Sequence, residues 1–432
     1  MTDPAQASGS AWNVLRHHDF RWMYTAQGIS FIGSWMQLAA VNWHVYQLTG
    51  DAAALGLVGL VRIVPIIVLS LFGGALADAF DRRRLMIITS GLMAVAATLL
   101  ALLTLSGAAT LPVLYAFTAL LAGLSAFDKP AWAGLLPNLV PRNELAHAVR
   151  LNVVLIETTA VFGPVLAGLL LARVDVGGAY LLNGLSFIPV VAALLVVRAQ
   201  PLPGAQRVPF SLGAIADGIR FVRATPMLWS TMVLDFFATF FASALALLPI
   251  YASDILRVGA EGYGLLFAAP AIGAAVGALG MAQLGGRVQR QGVVLMAAIA
   301  VYGAATIVFG LSSVFWLSML ALAVTGLSDS ISAVIRNELR QLLTPDHLRG
   351  RMLSINQIFF LGGPQLGEFE AGVLARAFGA PFSVITGGVC TILVVALTAA
   401  GVPMLRRYRA GDALPAPAPL PAVSTSPAAS GD

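Results

Sequence analysis

Six carboxylates and one base lie inside long apolar stretches of this chain, and they are the residues best placed to do chemistry. They are Asp128, Glu157, Asp235, Asp329, Glu368 and Glu370, together with Arg62. An unpaired charge in hydrocarbon is costly, so such a group is kept where it meets a partner or water. A carboxylate at the edge of a low-dielectric cavity can load a proton from one side and release it when a nearby base or solvent changes its surroundings. Glu157 and Asp235 lead this set as proton carriers, with Asp329, Asp128, Glu368 and Glu370 completing it. The competing reading for either leader is an ion pair with Arg62 or another base that locks two parts of the molecule together. Glu368 and Glu370 project about 200° apart on a helix, so at most one faces a given cavity.

Uncharged polar residues form stripes beside these charges. Gln27, Ser30, Ser34, Gln37 and His44 recur at steps of three and four, as do Thr118, Ser125, Asp128 and Trp132. Further on, Thr231, Asp235 and Thr239 repeat the pattern, and so do Thr325, Ser328, Asp329, Ser332 and Arg336. Such spacing places each set along one helix face. The faces are read as lining a water-filled cavity, with hydrogen bonding between helices as the alternative for the isolated Ser and Thr residues. Phe236, Phe237, Phe240 and Phe241 add an aromatic surface, so the cavity and substrate candidates are Gln27, Ser30, Ser34, Gln37, His44, Arg62, Trp132 and these four rings. No GxxxxGK[ST] phosphate loop and no His/Cys cluster of ligand spacing occurs, so no catalytic residue, metal or cofactor is expected. Cys390 has no second cysteine to pair with.

The elements that carry these residues follow from composition. Of 432 residues, 58% are apolar and only 10% charged, with 43 glycines. That surface chemistry suits lipid and excludes a soluble enzyme or a disordered chain. Stretches long enough to span a bilayer run approximately 20–47, 54–77, 85–105, 111–136, 145–172 and 180–197. A second set runs 227–251, 262–284, 293–311, 315–335, 352–375 and 382–405. The fold class is therefore an all-α membrane protein of twelve transmembrane helices. All basic residues except Arg62, Arg173, Arg257 and Arg376 fall in or toward the termini and the even-numbered connections, which is the pattern expected if both termini are cytoplasmic. The net charge of +5 thus marks a membrane face and not a nucleic-acid partner. The first 19 residues lack the apolar core of a cleaved signal peptide.

The chain divides into a cytoplasmic N-terminus (1–19), a six-helix bundle (20–197), a linker (198–225), a second six-helix bundle (226–405) and a basic, then disordered, tail (406–432). Leu212, Ile215, Ile219 and Val222 give the linker an interfacial helix. The halves repeat at a nearly constant offset. Arg16 and Trp22 match Arg223 and Trp229, Leu55-Gly56-Leu57 matches Tyr263-Gly264-Leu265, Gly74 matches Gly280, and Pro141 and Asn152 match Pro345 and Asn356. A doubled six-span unit is the pattern of a transporter with its site between two pseudo-symmetric bundles. Spans three, six, nine and twelve carry no interior charge and are expected to face lipid. Gly163, Pro164 and Gly168, and then Gly273 and Gly277, allow close helix packing.

Gly73-Gly74-Ala75-Leu76-Ala77-Asp78-Ala79-Phe80-Asp81-Arg82-Arg83-Arg84 resembles the signature loop between spans two and three of the major facilitator superfamily. The resemblance implies a cytoplasmic gate of Gly74, Asp78, Arg82, Arg83 and Arg84. Ala79 departs from the usual basic residue, and Leu284 stands where the second copy would need its aspartate, so the ionic latch belongs to the first half. Gly163-Pro164 and Gly168 partly resemble the glycine-proline motif of proton antiporters in that superfamily. The runs around Phe127-Asp128-Lys129-Pro130, Phe267-Ala268-Ala269-Pro270 and Leu348-Arg349-Gly350-Arg351 are similar to its drug-exporter branch, which includes enterobactin exporters and related transmembrane secretion effectors. That branch implies a monomer in the bacterial inner membrane. It also implies export of an amphipathic small molecule, drug or siderophore-like, by alternating access with proton entry. Its partners would be lipids, protons and the substrate, and uptake of a nutrient or lipid is the alternative.

Overall fold

Long apolar runs punctuated by glycine, proline and Asp caps produce a chain of helices with no strand among the described residues. The computed structural model describes residues 11–79, 81–197, 220–345 and 349–412; side chains of 71–79 and of most of 349–358 are not described. The first half contains α1 (His18–Thr49), α2 (Ala52–Ala79), α3 (Arg82–Leu105), α4 (Leu111–Leu135) and α5 (Leu145–Arg173). It closes with α6 (Val176–Ser186) and α7 (Ile188–Val196), two segments of one crossing. The break falls beside Pro189, which brings no backbone N–H to the ladder.

The second half contains α8 (Pro226–Phe241), α9 (Gly259–Leu284), α10 (Gln291–Leu311), α11 (Phe315–Leu343), α12 (Arg349–Phe378) and α13 (Ala380–Gly401). Local chemistry sets the ends. Asp81 accepts hydrogen bonds from the Arg83 and Arg84 backbone N–H groups at 2.8 and 3.2 Å to start α3. Gly50, at φ 59°, ends α1 in the left-handed conformation that glycine adopts without strain.

Ten of these helices or helix pairs are long and apolar enough to cross a membrane. The remaining two long helices, α1 with 32 residues and α12 with 30, are more polar and occupy the positions of the first and eleventh expected spans. The linker up to Ile219 and the tail beyond Asp412 lie outside the described residues; 220–224 are helical. On α3, Ile88, Leu92, Val95, Leu99 and Leu102 are exposed at helical spacing, which is a lipid-facing stripe. Leu393 and Leu397 do the same on α13.

The buried core separates into three clusters, and their distribution sets the shape. One cluster at the end remote from both termini, called distal here, draws on both halves: Met36, Trp43, Leu55 and Tyr180 pack with Tyr251, Tyr263, Phe309 and Ala371. At the opposite, proximal end each half has a core of its own. Phe20, Met23, Met86 and Trp132 belong to one, and Met227, Met232, Ile299 and Leu339 to the other. Among the described residues the halves share one core distally and have separate cores proximally, which leaves a cleft between them on the side of the termini.

Candidate functional site

Two close helix crossings roof the cleft. Gly56 on α2 lies so near α12 that a methyl there would stand 2.9 Å from the Gly372 Cα and 2.7 Å from the Glu368 carbonyl oxygen. Gly168 on α5 meets α9 in the same way, 2.9 Å from the Gly264 Cα and 2.7 Å from the Ala260 carbonyl oxygen. Gly56 and Gly264 are repeat mates, and Gly168 and Gly372 stand at the offset that relates Pro141 to Pro345, so one crossing is the pseudo-symmetric image of the other. Above them Arg173 pairs with Glu261 at 3.7 Å and Arg376 with Asp51 at 3.5 Å, each across the halves. These two bases were exceptions to the basic-residue pattern, and their positions join the halves on the distal side. Tyr46 donates to Asp254, and the Tyr263 hydroxyl donates to the Ala39 carbonyl at 2.9 Å, sealing the same end.

Below the roof, the second half carries a buried charge cluster. Arg336 on α11 holds Asp235 of α8 at 2.5 Å and Asp329, one helical stretch earlier on α11, at 3.3 Å. Arg336 and Asp235 are buried, whereas the Asp329 side chain is 41% exposed. Thr239, Tyr302 and Ser332 line a small pocket beside them, and the buried Arg336 Nε has no hydrogen-bond partner among the described residues. The ion pair of Asp235 is therefore made inside one half and does not lock the two together. Arg340, one turn further along α11, donates to the Arg336 carbonyl at 3.2 Å and lies within electrostatic reach of Asp235, so two arginines stand beside the two acids.

Glu157 faces this cluster from the first half. It shares a helix face with Pro164 and Gly168, which touch α9, so its carboxylate is directed toward the second half. Asp329 of the second half lies within electrostatic reach of it. Arg62 and Glu368 attract each other where α2 meets α12, and the Glu368 carboxylate packs over Gly59, where a methyl would stand 2.7 Å from it. Glu370, two residues on, projects about 200° from Glu368 on the helix and lies within electrostatic reach of Cys390 on α13. Asp128 turns away: Thr89 and Ser90 of α3 donate to it at 2.7 and 3.3 Å.

Several expected cavity residues lie elsewhere. Gln37 accepts a hydrogen bond from Asn183 of α6, and the His44 ring meets the Tyr180 hydroxyl at 3.2 Å, because Gly33 lets α1 pack tightly on α6. That face of α1 is a helix contact, the alternative left open for such residues, and Asn183 was hidden in a span taken as lipid-facing. Trp132 is tied into the first-half core by its bond to Asn152 at 3.0 Å. Gln27 and Ser30 are buried, and Ser34, which is exposed, returns its hydroxyl to the Ser30 carbonyl at 2.9 Å.

The four phenylalanines of α8 do assemble, with Phe236 stacked on Phe240 at 6.0 Å and Phe237 on Phe241 at 6.0 Å. Phe359 of α12, which the sequence reading missed, joins Phe236 at 5.8 Å. Among the packing glycines, Gly163 fits against Trp35 on α1, while Gly273 and Gly277 fit against α11, so these three act within a half.

In the loop between α2 and α3, Gly74 and Asp78 lie outside the residues whose side chains are described. Arg82 donates to the Gly134 carbonyl at 2.7 Å, and Arg83 donates to the Leu194 carbonyl and, at 3.0 Å, to that of Leu195. Both satisfy the last carbonyls of neighbouring helices. Arg84 is exposed.

A fold of this kind is known. The chain matches a bacterial homologue of the lysosomal transporter Spinster in an inward-facing, occupied conformation with a TM-score of 0.72 and 16% identity, over 93% of this chain and 99% of that one. It matches the nucleoside transporter NupG with a TM-score of 0.74 and 10% identity, over 89% and 100% of the two chains. Among relatives by sequence, the multidrug efflux pump Tap of Mycolicibacterium fortuitum is 29% identical, covering 80% of this chain and 87% of that protein. The enterobactin exporter EntS of Citrobacter koseri is 27% identical over 94% and 96%. The family described as transmembrane secretion effectors matches residues 9–426, nearly the whole chain. Two joined helical halves, a polar cleft between them and this match agree: the chain is a multi-pass membrane transporter of the major facilitator superfamily and belongs to its transmembrane secretion effector family.

Proposed function

We propose that this transporter exports an amphipathic small molecule from the cytoplasm in exchange for protons, by alternating access and as a monomer. The basic residues of the even-numbered connections support a cytoplasmic proximal face, from which the cleft would open inward. Relatives named as a multidrug efflux pump and an enterobactin exporter support the outward direction. What supports the coupling is that Glu157 lies on the face of α5 that meets the second half, with Asp329 of that half within electrostatic reach.

Closing the proximal ends drives these two carboxylates together. At about 4 Å and an effective dielectric constant of about 20, two like charges cost about 4 kcal/mol. Closure therefore waits until a proton or a donor group of the cargo lies between them. The empty, deprotonated protein does not interconvert, and either loaded form does, which is the condition for exchange. Arg336 adjusts in step, drawing toward Asp235 when Asp329 is neutral. A membrane potential of 100 mV supplies about 2.3 kcal/mol per charge, the scale of the barrier to be offset. Cargo enters along the half-buried aromatic surface of Phe236, Phe240 and Phe359.

The test is an untargeted comparison of culture medium and cell extract with and without the protein. Export predicts amphipathic compounds that move from cells to medium when it is present. Compounds that move from medium to cells would replace export by uptake.

A further inference from the structure

Helices α3 and α10 are repeat mates, yet their first turns are satisfied by different chemistry. α3 opens at Arg82 and α10 at Gln291, so Asp81 answers to Arg290 and Arg83 to Gly292. The leading backbone N–H groups of a helix have no partner within it and need one from outside. In α3 the Asp81 carboxylate takes those of Arg83 and Arg84, and the Arg83 side chain ties α3 to the end of α7. Arg290 brings no acceptor and Gly292 no side chain, so α10 can do neither by itself.

The chain beyond α13 supplies both. A five-residue helix, α14 (Pro403–Arg407), leads to Tyr408, whose carbonyl accepts from the Gly292 backbone N–H at 3.1 Å. Two residues on, the Ala410 N–H donates to the Gln289 carbonyl at 2.8 Å, so two backbone bonds bracket the start of α10. The approach is so close that a methyl group at Gly292 would collide with the Leu405 carbonyl oxygen. Asp412 closes the segment, accepting from the Arg409 N–H at 2.8 Å where Gly411 turns the chain at φ 85°. Leu405 and Tyr408 are buried in the proximal core of the second half, which also holds Phe221 and Val222 from the end of the linker. α14 touches α8 as well as α10 and α13.

We propose that residues 403–412 form a strap that caps α10 and clamps the end of the linker to the second half, so that linker, α8, α10 and α13 move as one body. The strap does with backbone groups what the Asp81 cap and the Arg83 tie do in the first half. A segment near a chain end stays ordered only where such ties hold it, so the strap can detach. Detachment frees the first turn of α10 and the point at which motion passes from the linker into the second half. The strap is thus a control point on the rocking of the two halves.

The experiment is hydrogen–deuterium exchange and tryptic cleavage after Arg406, Arg407 and Arg409, on the purified full chain in nanodiscs. Thermal unfolding checks the fold of each variant. Wild-type protein should resist cleavage there, and cutting at the rate of a free peptide of the same sequence would overturn the strap without any variant. Gly292→Ala favours helix at its own position, so its losses report the strap alone. Rapid cleavage and about tenfold faster exchange in 291–294 and in 220–224 are expected. Adding Arg290→Asp, the first-half arrangement, should slow exchange in 291–294 again while 220–224 stay fast and the strap stays cleavable. Exchange in 291–294 or cleavage left as in wild type by Gly292→Ala would show that the strap does not cap α10. Slow exchange in 220–224 once the strap is cleavable would show that it does not clamp the linker.

Discussion

Arg336 is the side chain on which the second half's polar cluster depends, because it serves Asp235 and Asp329 together from a buried position. Removing it leaves the Asp235 carboxylate buried and unpaired, which costs about 3–5 kcal/mol. Arg336→Met should therefore lower thermal stability sharply, and adding Asp235→Asn should recover a large part of the loss. Unfolding followed by intrinsic fluorescence measures both, and purely additive losses would show that the two groups do not act as a pair. The sequence singled out Asp235 and Asp329 by the cost of charge in an apolar run, and Arg336 only as the end of a polar helix face. It did not pair them, since α8 and α11 are far apart in the chain and only packing brings them together. Glu157 was singled out in the same way, and only the contact of Pro164 and Gly168 with α9 shows which half its helix face meets.

At the level of helices, the Gly56–Gly372 and Gly168–Gly264 crossings hold the distal ends together. Neither can accept a side chain without moving backbone, so Gly168→Leu should part α5 from α9 and shift the population toward a distally open state. Spin labels at Leu48→Cys and Val314→Cys, exposed residues at the distal ends of the two halves, report this once Cys390 is replaced by Ala. A longer mean distance is expected, and an unchanged distribution would show that the crossing does not control closure. Helix existence, order and the repeat were all readable, because apolar run length and the placement of arginines determine them. The partner of each face was not. Gln37 and His44 have the same spacing as a cavity stripe, yet α1 turns them to α6 because Gly33 permits a close approach there.

At the scale of the whole molecule, the proposed cycle needs two halves that hinge about their distal glycine crossings and acids in the cleft that oppose closure until neutralised. Composition already implied lipid as the solvent, and the repeat implied two bundles. The direction in which the cleft opens emerged only from the way the core divides into one shared and two separate clusters. The central claim is that closure of this cleft is coupled to protons through Glu157 and Asp329. The most direct measurement uses everted membrane vesicles with an acidic interior, following uptake of the compound identified in the medium. Wild-type protein should accumulate it, an uncoupler should abolish accumulation, and Glu157→Gln should lose acid-driven accumulation while still exchanging cargo across the membrane. Accumulation that survives the uncoupler, or an unimpaired acid-driven rate in Glu157→Gln, would contradict the account.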